Sequence, residues 1–325
     1  MDFGSILSNT GVFLLSPTTI AYALAATGLA VHFGYAGLLN FGMAGFMAIG
    51  GYGYAISVLT FGWPWWAGML LGLAGGAVFA VILGIPTLRL RADYLAIATI
   101  AAAEIVRLVF TTTAFESVTG SADGLAQYNS GFRAANPFPR GTYGFGPWTW
   151  TETELWTRVF GLVLLAVAIV VVWLLVRSPW GRVVKGIRED EDAVRSLGKN
   201  VFAYKMQALV TGGVIGAAGG IVFVLPSAVV PGSYSTSLTF FLWTILLLGG
   251  AATVFGPALG AVLFWVVSAF LDSLLPALVD AGVLPISDPQ AATVRFVITG
   301  VVLMLLVIFR PQGLLGNKRE TTFVK

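Results

Sequence analysis

The densest run of ionisable side chains is Arg188-Glu189-Asp190-Glu191-Asp192, which follows Ile187 and precedes Gly198. Arg182, Lys185, Arg195 and Lys199 flank it. Charges of both signs packed this closely suit either a solvated loop or a surface that docks on a soluble protein and carries force. A second pair, Glu104 and Arg107, stands inside an apolar stretch. A lone charge at the centre of a membrane helix costs about 2.5–3.5 kcal/mol on insertion scales. At i, i+3 the two share a face and neutralise each other. They either orient a helix or line a solute pathway. The small residues Gly42 and Gly45 lie in another apolar stretch, where they either pack closely or let a substrate approach backbone. The chain has no cysteine and one histidine, His32, so it offers no thiolate and no multi-histidine metal site. His32, near the inner end of the first expected span, reads as a satisfied interfacial histidine. No nucleophile–base pair is recognisable, so no catalytic residue is assigned.

The elements that position these groups follow from composition. Charged residues make up 10% of the 325 residues and hydrophobic ones 57%. Soluble proteins carry roughly 25% charged residues. Mean hydropathy is +0.88. Such a chain cannot cover a water-facing surface, which excludes an ordinary soluble enzyme and a disordered protein. The fold expected is an all-α, polytopic transmembrane helical bundle, a single membrane domain over 1–325. A span needs about 20 apolar residues. Segments near 12–31, 37–59, 65–86, 94–112, 156–176, 206–225, 239–250, 257–275 and 293–309 give nine spans, within a range of eight to ten. The seventh is short and runs into Gly249-Gly250 and Gly256-Pro257. With nine spans most basic residues fall on one side. They are Arg89 and Arg91; Arg177, Arg182, Lys185, Arg188, Arg195, Lys199 and Lys205; and Arg310, Lys318, Arg319 and Lys325. The positive-inside rule makes that side cytoplasmic, with the amino terminus outside and the carboxyl terminus inside. An external loop then spans about 113–155 and a cytoplasmic loop about 177–205. The small net charge of +3 gives no reason to expect a nucleic acid.

Within the cytoplasmic loop, Val183, Ile187, Val194 and Leu197 fall on one stripe about 80° wide at helical spacing. Asp190 falls inside that stripe. Either two short helices meet near Glu189–Asp192, or Asp190 faces a polar partner.

Gly181-Arg182, Ile187-Arg188-Glu189-Asp190-Glu191, Ala193, Gly198 and Asn200 resemble the coupling loop of the LivM-type permeases of branched-chain amino acid ABC importers. Asp93-Tyr94-Leu95-Ala96-Ile97 with Glu104-Ile105-Val106-Arg107-Leu108 is similar to that family's fourth span. Thr119-Gly120-Ser121-Ala122-Asp123-Gly124-Leu125 resembles its external Thr-Gly-Gly-x-x-Gly motif, with Ser121 in place of a glycine. Leu248-Gly249-Gly250 through Gly256-Pro257-x-x-Gly260-Ala261, and the tail Phe309-Arg310-Pro311-Gln312-Gly313-Leu314, also match in order.

The resemblance implies a permease subunit in a bacterial or archaeal cytoplasmic (inner) membrane. It would pass Leu, Ile or Val from an extracytoplasmic substrate-binding protein by alternating access. It implies a second homologous permease and two cytoplasmic ATPases, with ATP and Mg on those partners and no cofactor on this chain. The sequence agrees, because no lysine sits in a Gly-x-x-x-x-Gly-Lys-Ser/Thr phosphate loop; Gly198-Lys199-Asn200 fails at its last residue. The alternatives are a permease for urea, short amides or other amino acids, or an ion-coupled secondary transporter built around Glu104 and the glycine-rich breaks.

Overall fold

The computed structural model describes residues 3–90, 92–146, 148–280, 287–309 and 312–316. Arg91, Arg310, Pro311, Lys318, Arg319 and Lys325 lie outside the described residues. Helices α1 (Phe3–Val12), α2 (Pro17–Leu29), α3 (Met43–Phe61), α4 (Trp65–Thr87) and α5 (Ala92–Thr111) open the chain. Two short helices, α6 (Glu116–Thr119) and α7 (Ser130–Ala134), and a hairpin of β1 (Thr142–Phe145) and β2 (Trp148–Thr151) follow. Then come α8 (Glu152–Arg177), α9 (Pro179–Glu189), α10 (Glu191–Ser196), α11 (Val201–Val224), α12 (Thr236–Gly249), α13 (Gly256–Asp280) and α14 (Asp288–Phe309).

Each of the nine expected spans falls on a helix, but fewer meet the requirements of a full crossing. Six helices are long and apolar enough: α3, α4, α5, α8, α11 and α13. The pair Ile6–Leu15 and Pro17–Tyr35, bent by 44°, counts as a seventh. Helix α12, with 14 residues, is about 21 Å long, against about 30 Å of hydrocarbon. It stops where Gly250 takes φ +114°. Helix α14 has 22 residues and stands outside that count.

Local chemistry sets the boundaries. Ser16 caps α2 by accepting from Thr19 N at 3.1 Å, with Pro17 at the first helical position. Thr151 and Glu154 form a reciprocal capping box at the start of α8. Helix α11 is the hub, and it packs against α2, α3 and α4. Its contacts are made through small residues, because lipid supplies no hydrophobic force between helices and close backbone approach must do so. A Cβ on Gly212 would run into the Gly28 carbonyl, and one on Gly50 of α3 into the Ala217 carbonyl. Helices α5, α8 and α13 lie at the periphery, with 11%, 22% and 22% of their apolar windows buried.

The end opposite α9 and α10 carries the hairpin, which pairs Thr142 with Thr151 and Phe145 with Trp148. It is the one departure from an all-α chain among the described residues. Trp148 donates to Ser8 O at 3.1 Å and Trp156 to Phe132 O at 3.1 Å. Tyr128 donates to Ser227 O at 2.7 Å, and Leu125 pairs with Val229. Ser121, which stands where the resembled motif has glycine, takes φ +49°. That conformation explains a glycine preference at this position.

Gly50→Val should lower the thermal midpoint of the purified protein by an overpacking cost of about 1–3 kcal/mol. Gly232→Ala, which meets nothing within 4 Å, should leave it unchanged. Thermal denaturation of both variants in the same detergent checks this.

Candidate functional site: a capped hinge anchored to a broken span

Helix α9 starts with Ser178 as its cap and Pro179 at its first turn, and ends at Glu189. Asp190 then takes extended backbone, φ −154° and ψ 102°. Its carboxylate accepts from Asp192 N and Ala193 N, both at 3.0 Å, and so starts α10. The carboxylate that interrupts the apolar stripe is therefore a helix cap, and the two-helix alternative holds. Ile187, Val194 and Val201 form a small core, with Val183 and Tyr204 against it. Leu197 does not join. It is 77% exposed, because α10 ends at Ser196 and Gly198 turns the chain at φ +73°.

Ion pairs tie the hinge to α11. Glu191 pairs with Lys205 and, at 2.8 Å, with Arg195. Arg195 also reaches Asp192 at 2.8 Å. These are partly exposed and each contributes at most about 1 kcal/mol. Arg188 differs. Its side chain is 4% exposed, and Nη1 donates to Gly34 O at 2.5 Å. Arg182, Glu189 and Asp192 face solvent, with the Glu189 side chain 73% exposed.

The Gly34 carbonyl belongs to the turn that continues α2 and ends the first crossing. Residues Ala30–Tyr35 form a π-helical turn. Val31, His32 and Phe33 carbonyls accept the next backbone N–H groups, from Ala36, Leu38 and Gly37. His32 is fully buried and meets Leu209 O through Nε2 at 3.0 Å and Asn40 Nδ2 through Nδ1 at 2.9 Å. A carbonyl only accepts, so Nε2 carries the proton and Nδ1 accepts from the Asn40 amide. The Asn40 Oδ1 then accepts from Gly42 N at 2.7 Å. Trp243 of α12 donates to Asn40 O at 3.1 Å. This end of the first crossing is thus tied to α3, α11 and α12, and through Arg188 to α9. His32 is satisfied, as expected, but it is fully buried in the bundle and not interfacial. The roles of Gly34 and Asn40 carry no sequence signature that would have singled them out.

Glu104 and Arg107 lie apart from the hinge, on α5. Arg107 Nη2 donates to Oε1 at 2.5 Å and Nε to Oε2 at 3.0 Å. The pair is not sealed, with side chains 37% and 25% exposed. Gly42 and Gly45 are buried and carry α5 on their surface, at Thr99 and Ala103. Phe41 N donates to Thr99 Oγ1 at 2.9 Å on the same seam. Further along it Tyr52 stacks on Phe110 at 4.2 Å between ring centroids. Among the described residues no group of three metal-capable side chains occurs.

Asp190→Ala should cost α10 about 0.5–2 kcal/mol, read as faster amide exchange over 191–196. Asp190→Asn keeps an accepting oxygen and should restore protection.

Residues 12–308 match the family described as branched-chain amino acid transport system / permease component. The high-affinity branched-chain amino acid transport system permease protein LivM of Salmonella typhimurium is 32% identical over 322 residues, covering 96% of this chain and 71% of that protein. The Escherichia coli K12 protein of the same name is 31% identical, covering 98% and 73%. The guanosine ABC transporter permease protein NupQ of Bacillus subtilis is more distant, at 27% identity over 86% of this chain and 88% of its own length. With a hinge of two short helices clamped to a broken apolar span and a family match over nearly its whole length, this chain belongs to the permease-component family of branched-chain amino acid transport systems.

Proposed function

We propose that the chain passes leucine, isoleucine and valine across a bacterial or archaeal cytoplasmic membrane, as one permease of an ATP-driven importer. The hinge end is cytoplasmic, the chain crosses nine times, and the amino terminus is outside. Two cytoplasmic ATPases bind ATP and Mg. A second homologous permease completes the pathway, and an extracytoplasmic binding protein delivers the substrate to the hairpin end.

The observation that carries this reading is the combination at the hinge. Its tip presents Glu189, Asp192 and Leu197 to solvent, while its base is bonded to the end of the first crossing by the buried Arg188. A soluble motor that grips the tip therefore pulls on the first crossing. The residues Arg182, Ile187, Arg188, Glu189, Asp190, Glu191, Asp192 and Gly198 divide the work. Asp190 and Gly198 shape the two turns, Ile187 and Arg188 anchor the base, Glu191 ties it to α11, and Arg182, Glu189 and Asp192 meet the ATPase.

The pathway runs beside α5. Its outer face exposes Ile97, Ile105 and Leu108 at 65%, 61% and 51%, an apolar surface for the second permease. The Glu104–Arg107 pair sits at the edge of that face and offers both signs to a zwitterion. Gly42 and Gly45 let α5 lie against α3 when the seam is closed, and substrate approaches their backbone when it opens.

Glu189→Lys should uncouple the reconstituted transporter. ATP hydrolysis continues, leucine uptake falls at least tenfold, and binding-protein affinity is unchanged; equal uptake per ATP removes the tip from the motor contact. Glu104→Gln and Arg107→Gln should each lower uptake with assembly intact. Normal uptake in both removes the pair from the pathway.

A further inference from the structure

Beside the hinge lies an open cavity of about 930 Å³ with four cations on its wall, Arg89, Arg195, Lys199 and Lys205, against two carboxylates, Glu191 and Asp192. The carboxylates are already engaged by Lys205 and Arg195. Arg89 and Lys199 pair with no carboxylate among the described residues. The Arg89 guanidinium instead lies 5.7 Å from the centre of the Phe202 ring. The cavity therefore presents two positive charges uncommitted to any carboxylate, beside an aromatic wall.

Its level in the membrane narrows the choice of anion. Helix α4 carries an exposed aliphatic stripe, Val78, Val81, Ile82 and Ile85, at 57%, 40%, 64% and 54%. Positions 78, 82 and 85 follow helical spacing, and Arg89 comes one turn further, just past the end of α4 at Thr87. The track an acyl chain would follow thus ends at the cationic cavity. Aromatic and basic groups mark the membrane boundary at this same end of the molecule. Trp180 donates to Gln207 Oε1 at 2.9 Å, and Arg177 lies 4.2 Å over the Trp173 ring. Basic pockets between membrane helices at such a boundary hold anionic lipid headgroups.

We infer that Arg89 and Lys199 hold the phosphodiester of an anionic phospholipid whose tails lie along α4. The lipid sits between the inner end of α4 and the start of α11, in contact with the same Glu191–Lys205 pair that ties the hinge to α11. Its occupancy is independent of which solute the transporter carries.

The experiment is lipid retention by the complete purified transporter, counted by native mass spectrometry after exposure to phosphatidylglycerol or phosphatidylcholine. The wild type should retain phosphatidylglycerol in preference. Arg89→Gln with Lys199→Gln should weaken that retention by about fivefold per charge removed. The swap Arg89→Lys with Lys199→Arg should preserve it. Inorganic phosphate at equal concentration should not displace the lipid, because it has no tails to place on α4. Equal retention by the wild type and the double glutamine variant overturns the assignment, as does displacement by free phosphate. Loss of the ATPase subunits from the double variant with its lipid count unchanged also overturns it, since the cavity would then be an ATPase contact.

Discussion

The last carbonyls of a helix have no helical donor of their own and, where they are buried, must be satisfied from elsewhere. In this protein the first crossing ends in the π-helical turn Ala30–Tyr35, and the bond to the Gly34 carbonyl comes from Arg188, a residue of the peripheral hinge. A charged donor to a buried carbonyl is worth about 1.5–3 kcal/mol, and removing it would take that donor from the Gly34 carbonyl. The hinge is therefore part of the membrane fold as well as an appendage of it. Arg188 joins α9 to the end of the first crossing, and His32 and Asn40 join that end to α3, α11 and α12.

The rest of the structure divides into parts that hold still and parts with room to move. Helix α11 and its glycine contacts with α2, α3 and α4 form a tight centre, in which a single added Cβ meets backbone. Helix α5 is the reverse. It packs chiefly on α3, with lesser contacts to α4, α12 and Pro231–Tyr234, carries an unsealed ion pair and turns most of its surface outward. An element with few buried contacts can shift at small cost. A solute passage that opens and closes needs such an element beside a rigid one.

Much of this was legible in the sequence, and the exceptions share a physical cause. The conflict between Asp190 and its apolar stripe left two outcomes open, a break or a polar partner, and the fold takes the break, because a carboxylate is costly on a packed face but favourable at a helix start. The Gly249-Gly250 run and the 309–314 tail matched one family motif set, and the fold brings them together: Leu314 N donates to Leu248 O at 2.9 Å and Leu315 N to Gly249 O at 3.1 Å. Leu197 was misplaced, because helical spacing was carried through the break at Asp190 and past Ser196, where α10 ends. The hairpin at 142–151 was not foreseen, since Thr-Tyr-Gly-Phe and Trp-Thr-Trp-Thr lie in a loop whose composition signalled only a membrane boundary. The Gly34 carbonyl was invisible for a deeper reason. A main-chain acceptor looks the same in every residue, and only the fold decides which one is left without a helical donor.

The most direct test is the number of leucine molecules imported per ATP hydrolysed by the complete transporter in proteoliposomes, compared between wild type and Arg188→Gln. If the bond from the hinge to the broken crossing carries the stroke, the variant hydrolyses ATP while its import per ATP falls at least tenfold. An unchanged ratio in a variant that assembles normally would show that force enters the membrane by another route.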